Sequence, residues 1–315
     1  MILGNKSIKI SLCYNSLVFF SFFSRSMIPI LGRQLATMSD KYTENIPRIP
    51  GEVQRLNEQF EIFTKNIGYI LHPSVVSALP SAPCIADIGT GTGILLVRLR
   101  ETYPNAVLDG FDISADLYPP PDSLPSNVTL AVRDLKQPFP EELHGRYDVV
   151  HLRLLITAML RDDWEPAVCN VSALLKPGGY LQWEECDFTT CKHLRGGVSS
   201  SVETARFMSN SFAYALRDRF AYGWNTLPEH MTTAGLTSIF TDIVSSDRVP
   251  STRERLSVIT MSLVFRWARM MIEKKAPGSI SSKELDDKEK ESYDDIKSGC
   301  YIRYDIYVTC GKKPS

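Results

Sequence analysis

The sequence predicts an α/β fold: a seven-stranded, mostly parallel sheet with helices on both faces, plus an N-terminal lid helix and a helical insert. Two observations predict it. From Cys84 onward, short runs rich in β-branched and apolar residues alternate with segments of helical periodicity. A glycine-rich turn joins the first of these runs to the first helical segment. Such alternation is typical of strands joined by right-handed helical crossovers, which makes neighbouring strands parallel.

Residues 1–39 differ in composition from the rest of the chain, because no acidic residue occurs before Asp40. The charged residues in this stretch are Lys6, Lys9, Arg25 and Arg33. A basic, serine-rich start without acids is typical of a mitochondrial presequence, while later methionines at 27 and 38 favour a disordered leader or an upstream extension instead. We expect a cytoplasmic protein, with mitochondrial targeting left open by this leader.

Residues 40–80 are predicted to contain the lid helix. Apolar residues recur there at steps of three and four, at Val53, Leu56, Phe60, Phe63, Ile67 and Ile70. This period places them on one face of a helix that packs against the domain.

Residues 81–189 are predicted to form the cofactor-binding core. Its strands are expected at 84–88, 106–111, 128–133, 147–152 and 180–184, and its helices at 94–102 and 164–175. Residues Pro177, Gly178 and Gly179 end the second helix before the fifth strand.

The remaining chain is predicted to be a helical substrate cap at 190–235 followed by C-terminal strands and helices at 236–315. Two late strands are expected at 237–244 and 301–310, with a helix at 253–271 between them. The charged segment at 283–295 is predicted to be a solvated helix face or a loop.

Composition excludes several function classes. The 315 residues carry a net charge of -1, so the chain has no general attraction for nucleic acid or for anionic membranes. The seven cysteines are scattered without a paired metal-ligand spacing, which predicts free thiols and no metal site. The expected partner is therefore a small molecule.

The most informative motif is the turn after the first strand, where Asp87 is followed by Gly89, Gly91 and Gly93. Glycines allow a tight turn and let a ligand approach bare backbone amides at a helix N-terminus. A dinucleotide fingerprint requires a third glycine at the sixth position counted from Gly89, and that position is Ile94. The spacing therefore disfavours a nicotinamide oxidoreductase.

The Asp-x-Gly-x-Gly-x-Gly pattern resembles motif I of the class I, Rossmann-like S-adenosylmethionine-dependent methyltransferases. Asp87 then offers negative charge to the ammonium group of the cofactor, which the turn holds through Gly89, Thr90, Gly91 and Gly93.

Two further acids end the next two predicted strands. Asp112, followed by Ile113, is suited to accept both ribose hydroxyls. In the resemblance, Asp134 takes the exocyclic amine of adenine and the backbone amide of Leu135 contacts the ring. Each acid alone also fits a turn-forming aspartate. Three acids at successive strand ends favour the cofactor site.

The segments 148–155 (DVVHLRLL) and 174–185 (LLKPGGYLQWEE) resemble the fungal secondary-metabolism methyltransferases. That group holds LaeA-like regulators and the N- and O-methyltransferases of natural-product clusters, including gliotoxin-type enzymes. The resemblance implies methyl transfer to an O or N atom of a small molecule. The alternative that it implies is a regulatory protein that keeps the fold and acts through protein partners.

Three residues are candidates for a general base that deprotonates the acceptor: His151, Glu184 and Glu185. His151 fits equally a structural, cofactor-binding role in which it holds the cofactor loop or the methionine moiety of the cofactor. The two glutamates are expected to project to opposite faces of the strand, so at most one reaches the site. Arg153 is expected to pair with a carboxylate in the lid or to bind substrate.

Apolar residues of the predicted cap are candidates for an acceptor pocket, although ordinary helix packing explains them nearly as well. They are Phe207, Met208, Phe212 and Tyr214. Trp183 is expected in the core.

Overall fold

A computed structural model describes residues 51–315, which contain one seven-stranded sheet in the order β3-β2-β1-β4-β5-β7-β6. The strands are β1 Cys84–Ile88, β2 Val107–Asp112, β3 Val128–Val132, β4 Tyr147–Arg153, β5 Leu175–Arg195, β6 Thr237–Ser245 and β7 Cys300–Lys312. Strands β1 to β5 are parallel, and β7 runs antiparallel to β5 and to β6. The predicted fold class is confirmed.

Helices cover both faces of this sheet. They are α1 Glu52–Ile67, α2 Pro73–Val76, α3 Ile94–Thr102, α4 Trp164–Leu174, α5 Glu203–Ala215, α6 Arg217–Phe220, α7 Leu227–Thr233, α8 Arg253–Glu273 and α9 Ser282–Lys297. The leader predicted for residues 1–39 lies outside the described residues. Within residues 51–315, no helix combines the length and the apolarity needed to cross a bilayer.

Strand alternation divides the buried side chains between two cores. Ile85 of β1 and Val149 of β4 face the core that α1, α3 and α8 cover. Their chain neighbours Ala86 and Val150 face the opposite core, which α4 and α7 cover. Successive side chains of a strand point to opposite faces, so the short central strands bury apolar residues on both sides.

The lid helix α1 has the predicted place but buries a narrower face than predicted. Phe60, Phe63 and Ile67 are buried, whereas Val53 is 46% exposed in the first turn of the helix. The helix ends at Gly68, whose φ of 97° suits glycine and whose backbone N–H donates to a helical carbonyl. Ile70 consequently lies beyond the helix.

The cap begins later than predicted, because β5 continues through residues that the sequence assigned to the insert. The ladder between β5 and β7 extends from Tyr180↔Lys312 to Arg195↔Cys300. Residues 190–195 are therefore strand, and the helices of the cap occupy α5 to α7. The long pairing with β7 is a contact between distant parts of the chain, which local composition does not reveal.

The charged segment near the C-terminus forms the helix α9, with one buried face that includes Leu285 and Asp295. The Asp295 carboxylate accepts hydrogen bonds from the backbone amides of Thr204 (2.9 Å) and Ala205 (3.0 Å). These amides lie in the first turn of α5, where helix donors have no intrahelical partner. Asp295 of α9 therefore caps the N-terminus of α5, the first helix of the insert.

Candidate active site

The glycine turn connects β1 to α3 next to the point where the strand order reverses, between β1 and β4. Gly89, Gly91 and Gly93 have φ values of 71°, 56° and 75°, a region that favours glycine. The amides of Gly89 and Thr90 donate to the carbonyl of Phe111 in β2, at 2.7 and 3.0 Å. The turn is thereby held at the crevice where open α/β sheets bind ligands.

Two neighbouring segments form walls around this turn. A Cβ atom placed on Gly89 would lie 2.7 Å from Leu155 Cδ2, in the loop that follows β4. On the other side, Asn57 of α1 accepts a hydrogen bond of 2.6 Å from the Thr92 hydroxyl. Helix α1 therefore covers the turn, as expected of a lid.

The predicted cofactor acids lie along the carboxyl ends of adjacent strands. Asp112 ends β2, and its Oδ2 atom accepts a hydrogen bond of 2.8 Å from the Gly91 amide. Asp134 lies two residues beyond β3, and its Oδ1 atom accepts from the Lys136 amide at 2.9 Å. The side chain of Ile113 is 53% exposed beside Asp112, so it offers an apolar surface to a ring.

These residues fit the adenosyl amino acid that the motif implies. The hydroxyl of Thr90 is buried in the turn without a hydrogen-bond partner among the described residues, and buried polar groups normally have one. The Gly91 position faces Leu56 of α1 at 3.7 Å from an added Cβ. Bare backbone, an unpaired hydroxyl and acids on successive strands are the features that an adenosine and an ammonium group require.

A buried chain of four charged side chains runs from β1 through β4 to β5. Asp87 Oδ1 lies 2.8 Å from His151 Nδ1, and His151 Nε2 lies 3.2 Å from Glu184 Oε1. Glu184 Oε2 in turn accepts a hydrogen bond of 2.5 Å from Arg153 Nε. We call Asp87, His151, Glu184 and Arg153 the charge chain.

The contacts within the charge chain shift the pKa values of His151 and Glu184. Burial lowers the pKa of His151, but its hydrogen bonds to Asp87 and Glu184 outweigh burial and raise that pKa above its ordinary value. Burial raises the pKa of Glu184, but the charges and hydrogen bonds of Arg153 and His151 lower it to about 2. This direction, together with the two contacts, favours an imidazolium that donates from Nδ1 to Asp87 and from Nε2 to Glu184.

Of the two roles that the sequence left open for His151, these contacts favour the structural one. The side chain is fully buried, and an imidazolium that donates from both nitrogens has no lone pair for an acceptor proton. Glu184 is likewise buried and engaged by both His151 and Arg153.

Glu185, the third candidate base, lies on the opposite face of β5 from Glu184. It accepts hydrogen bonds from Trp183 Nε1 (2.8 Å) and from the backbone amides of Leu155 (2.8 Å) and Ile156 (3.2 Å). Burial raises its pKa to about 8. Glu185 thus fixes the loop after β4, including the leucine that contacts Gly89.

A cavity of about 60 Å³ lies between the cap and the sheet. It is lined by Gln59, Thr157, Phe188, Cys191, Ser209, Phe212, Ala213, Phe220, Ile259, Thr260, Leu263, Val264 and Tyr304. Gln59 belongs to α1, and Thr157 belongs to the loop after β4, so the two segments that wall the glycine turn also bound this cavity. None of these described lining residues has a charged side chain.

Only one of the four predicted pocket residues of the cap lines this cavity, and it is Phe212. Met208 packs into the core, while Phe207 and Tyr214 are 57% and 41% exposed. Trp183 is fully buried, with its ring 5.4 Å from that of Trp164, and this confirms its predicted place in the core.

The fold and the glycine turn together have the features expected of a Rossmann-like methyltransferase. Residues 86–181 match the family model described as a methyltransferase domain. This match over part of the chain agrees with the predicted enzyme class.

Curated relatives include proteins of fungal secondary metabolism. The chain is 37% identical to methyltransferase grgD of Penicillium sp over 161 residues, which are 47% of this chain and 55% of the relative. It is 34% identical to N-methyltransferase tcpN of Claviceps purpurea (strain 20.1), over 44% of this chain and 50% of that protein. It is also 37% identical to the secondary metabolism regulator LAE1 of Hypocrea atroviridis, over 34% of this chain and 30% of the regulator. The chain thus spans about half the length of the first two relatives.

Proposed function

We propose that this protein transfers the methyl group of S-adenosylmethionine to a nitrogen atom of a small, largely apolar molecule. The observation that carries the proposal is the uncharged cavity under the cap, which shares α1 and the loop after β4 with the glycine turn. This arrangement brings an apolar acceptor towards a cofactor held by the turn. Membership of secondary metabolism is supported by the similarity to grgD and tcpN.

The chain's own residues have distinct roles in this proposal. Asp112 accepts the ribose hydroxyls, Asp134 accepts the adenine amine, and Asp87 offers negative charge to the ammonium group. The bound cofactor supplies an electrophilic methyl group on a sulfonium, whose departure needs no proton. The protein contributes alignment and the exclusion of water, which together account for a large part of many rate enhancements.

Nitrogen is favoured over oxygen because the candidate bases are engaged elsewhere. His151 and Glu184 belong to the charge chain, and Glu185 holds backbone amides of the loop. None of the three lines the cavity. A neutral amine already has a nucleophilic lone pair, whereas a hydroxyl acceptor requires a base. The name of tcpN, an N-methyltransferase, agrees with this choice.

The test compares acceptors that share a scaffold and differ in one atom. The full chain is incubated with S-adenosylmethionine and with pairs of apolar aromatic amines and the corresponding alcohols. Products are followed by mass spectrometry as the replacement of a hydrogen by a methyl group. We expect methylated amines and unreacted alcohols. Methylation of the alcohols alone would refute the choice of nitrogen.

A pair of variants on α5 tests the cavity. Ser209 is buried and lines it, so Ser209→Leu is expected to reduce turnover of any accepted amine while binding of S-adenosylhomocysteine is unchanged. Ser211 lies on the same helix outside the cavity lining, so Ser211→Leu is the matched control. Equal turnover in the two folded variants would place the acceptor elsewhere.

A regulatory protein is the second candidate, favoured by the 37% identity to LAE1. In that case the fold binds the cofactor, but small molecules are methylated slowly and the protein is recovered in a stable complex. Robust turnover of a purified metabolite by the isolated chain would exclude this candidate.

A further inference from the structure

We propose that Arg153 binds the carboxylate of the cofactor's amino acid group, which makes it a binding residue outside the glycine motif. This inference rests on the proposed function, since it concerns the same cofactor. Its basis is the unsatisfied guanidinium at the end of the charge chain.

The guanidinium of Arg153 is held in place but is not fully paired. Its Nε atom donates to Glu184, its Nη1 atom lies 3.4 Å from the Thr64 hydroxyl, and its centre lies 5.1 Å from the Phe60 ring. The Nη2 atom is buried without a hydrogen-bond partner in the part of the chain that the structure describes. The side chain as a whole is 10% exposed. A buried charged donor without an acceptor is rare and requires an explanation.

Arg153 lies at the correct edge of the sheet to meet the cofactor. It is the last residue of β4, and β4 pairs directly with β1, where Asp87 is opposite His151. Arg153 follows His151 by two residues, so both side chains are on one face and Arg153 is nearer to the carboxyl end. Helix α1 covers it through Phe60 and Thr64, and the same helix covers the glycine turn.

The charges along the chain complement a zwitterion. The order is carboxylate, imidazolium, carboxylate and guanidinium, so one end is negative at Asp87 and the other is positive at Arg153. An α-amino acid group carries an ammonium and a carboxylate. When the ammonium group lies at Asp87, the carboxylate pairs with the guanidinium of Arg153, whose planar arrangement of donors suits a carboxylate. A carboxylate on the acceptor is the other possible source of this charge, and the experiment separates the two.

The test uses two ligands that differ only in the amino acid group. S-adenosylhomocysteine carries it, and 5′-methylthioadenosine has the same adenosine thioether without it. Calorimetry on the full chain is expected to show that Arg153→Gln lowers the affinity for S-adenosylhomocysteine by about tenfold or more. This is the usual effect of losing a charge-assisted hydrogen bond. The affinity for 5′-methylthioadenosine is expected to stay within about twofold.

The control variant is Arg98→Gln. Arg98 on α3 pairs with Glu61 of α1 at 2.6 Å and is 40% exposed, so it tethers the same lid without belonging to the charge chain. We expect both ligands to bind this variant as they bind the wild type.

Each other outcome is distinct. Equal weakening of both ligands by Arg153→Gln would make Arg153 only a scaffold for the site and would overturn the inference. Unchanged binding of both ligands, with a raised KM for the acceptor, would assign the carboxylate to the acceptor and would also overturn it.

Loss of folding and failure of the proposed function are separate results. If Arg153→Gln does not fold, Arg153→Lys keeps the charge beside Glu184 but loses the planar fork. Arg153→Lys should lower the affinity for S-adenosylhomocysteine but not for 5′-methylthioadenosine. An equal loss of affinity for both ligands would again overturn the inference. A wild-type chain that binds neither ligand would instead refute the proposed cofactor.

Discussion

Adjacent glutamates on opposite faces of β5 allow one chemical change to be made in two different electrostatic surroundings. Glu184 lies between His151 and Arg153, while Glu185 accepts only neutral N–H donors. Replacing either with glutamine removes one carboxylate and preserves the shape of the side chain. The two variants are expected to differ strongly in stability.

The magnitudes follow from the two pKa values. The pKa of Glu184 falls from 4.5 to about 2 on folding, a difference that corresponds to about 3 kcal/mol of stability. A lowered pKa stabilises the fold above about pH 4.5, and this contribution is lost as the pH falls towards 2. Glu184→Gln should therefore lower the free energy of unfolding by about 3 kcal/mol at pH 7, which lies within the range for breaking a buried ion pair.

The contribution of Glu185 to stability should have the opposite pH dependence. Its pKa rises from 4.5 to about 8 on folding, so it favours the fold below about pH 4.5 and progressively less as the pH rises to 8. Its carboxyl group is largely protonated at pH 7, and glutamine resembles that neutral form. Glu185→Gln should change stability little at pH 7 and should remove the loss of stability between about pH 5 and 8.

Urea denaturation of the wild type and both variants, at several pH values from 4 to 8, measures these differences. The free-energy difference between wild type and each variant isolates the replaced carboxylate from other titrating groups. Equal losses for both variants at pH 7, or the same pH dependence for both, would refute the ionisation states assigned to the charge chain.

Four further predictions concern the site and its supports. Asp112→Ala should weaken binding of S-adenosylhomocysteine by about tenfold or more in calorimetry, through loss of charge-assisted hydrogen bonds; unchanged affinity in a folded variant would leave Asp112 as a turn residue. His151→Ala should cost about 3–5 kcal/mol in urea denaturation by stranding buried carboxylates, with turnover at saturation reduced less than tenfold; a turnover loss of about two to four orders of magnitude with unchanged cofactor affinity would instead identify a general base. Gly89→Ala should weaken cofactor binding, because alanine is strained at a φ of 71° and its Cβ would force Leu155 Cδ2, at 2.7 Å, to move within the turn. Gly145→Ala is the control, since it also has positive φ but no described atom within 4 Å of the added Cβ, and it should cost about 1–2 kcal/mol of stability without weakening the cofactor; equal cofactor binding by both would contradict the tight turn. Asp295→Ala should cost about 1–2 kcal/mol in urea denaturation by removing a helix cap and should leave cofactor affinity unchanged; full stability would show that the cap contributes nothing.

Local patterns were sufficient for the elements around the glycine turn. The helix predicted at 94–102 has the same bounds in the structure, as does the strand at 84–88. Both are bounded by residues with strong local preferences, since glycines at positive φ separate them. The acids at 112 and 134 also fall at or just beyond the ends of strands, as predicted.

Contacts between strands could not be predicted from the sequence. His151 and Glu184 were both identified as candidate bases, but their pairing depends on the register between β4 and β5. The protonation of His151 depends further on Asp87 in β1. For this reason the sequence left its two roles open, and the structure favours one of them.

The acceptor cavity shows the same limit. Phe188, Phe220 and Tyr304 belong to three elements far apart in the chain and meet only in the fold, with the Phe188 ring 5.2 Å from Phe220 and 5.0 Å from Tyr304. The pocket residues predicted from the sequence all belong to the cap, and Phe212 is the one among them that lines the cavity. Phe188 and Tyr304 lie on strands, where aromatic residues are usually core residues, and Phe220 ends the short helix α6 of the cap. No local signal distinguished these three residues as lining a pocket.

Calorimetric titration of the full chain with S-adenosylhomocysteine and, separately, with NAD tests directly which cofactor the glycine turn binds. We expect one binding site with micromolar affinity for S-adenosylhomocysteine and no heat with NAD. Saturable binding of NAD without binding of S-adenosylhomocysteine would contradict this expectation.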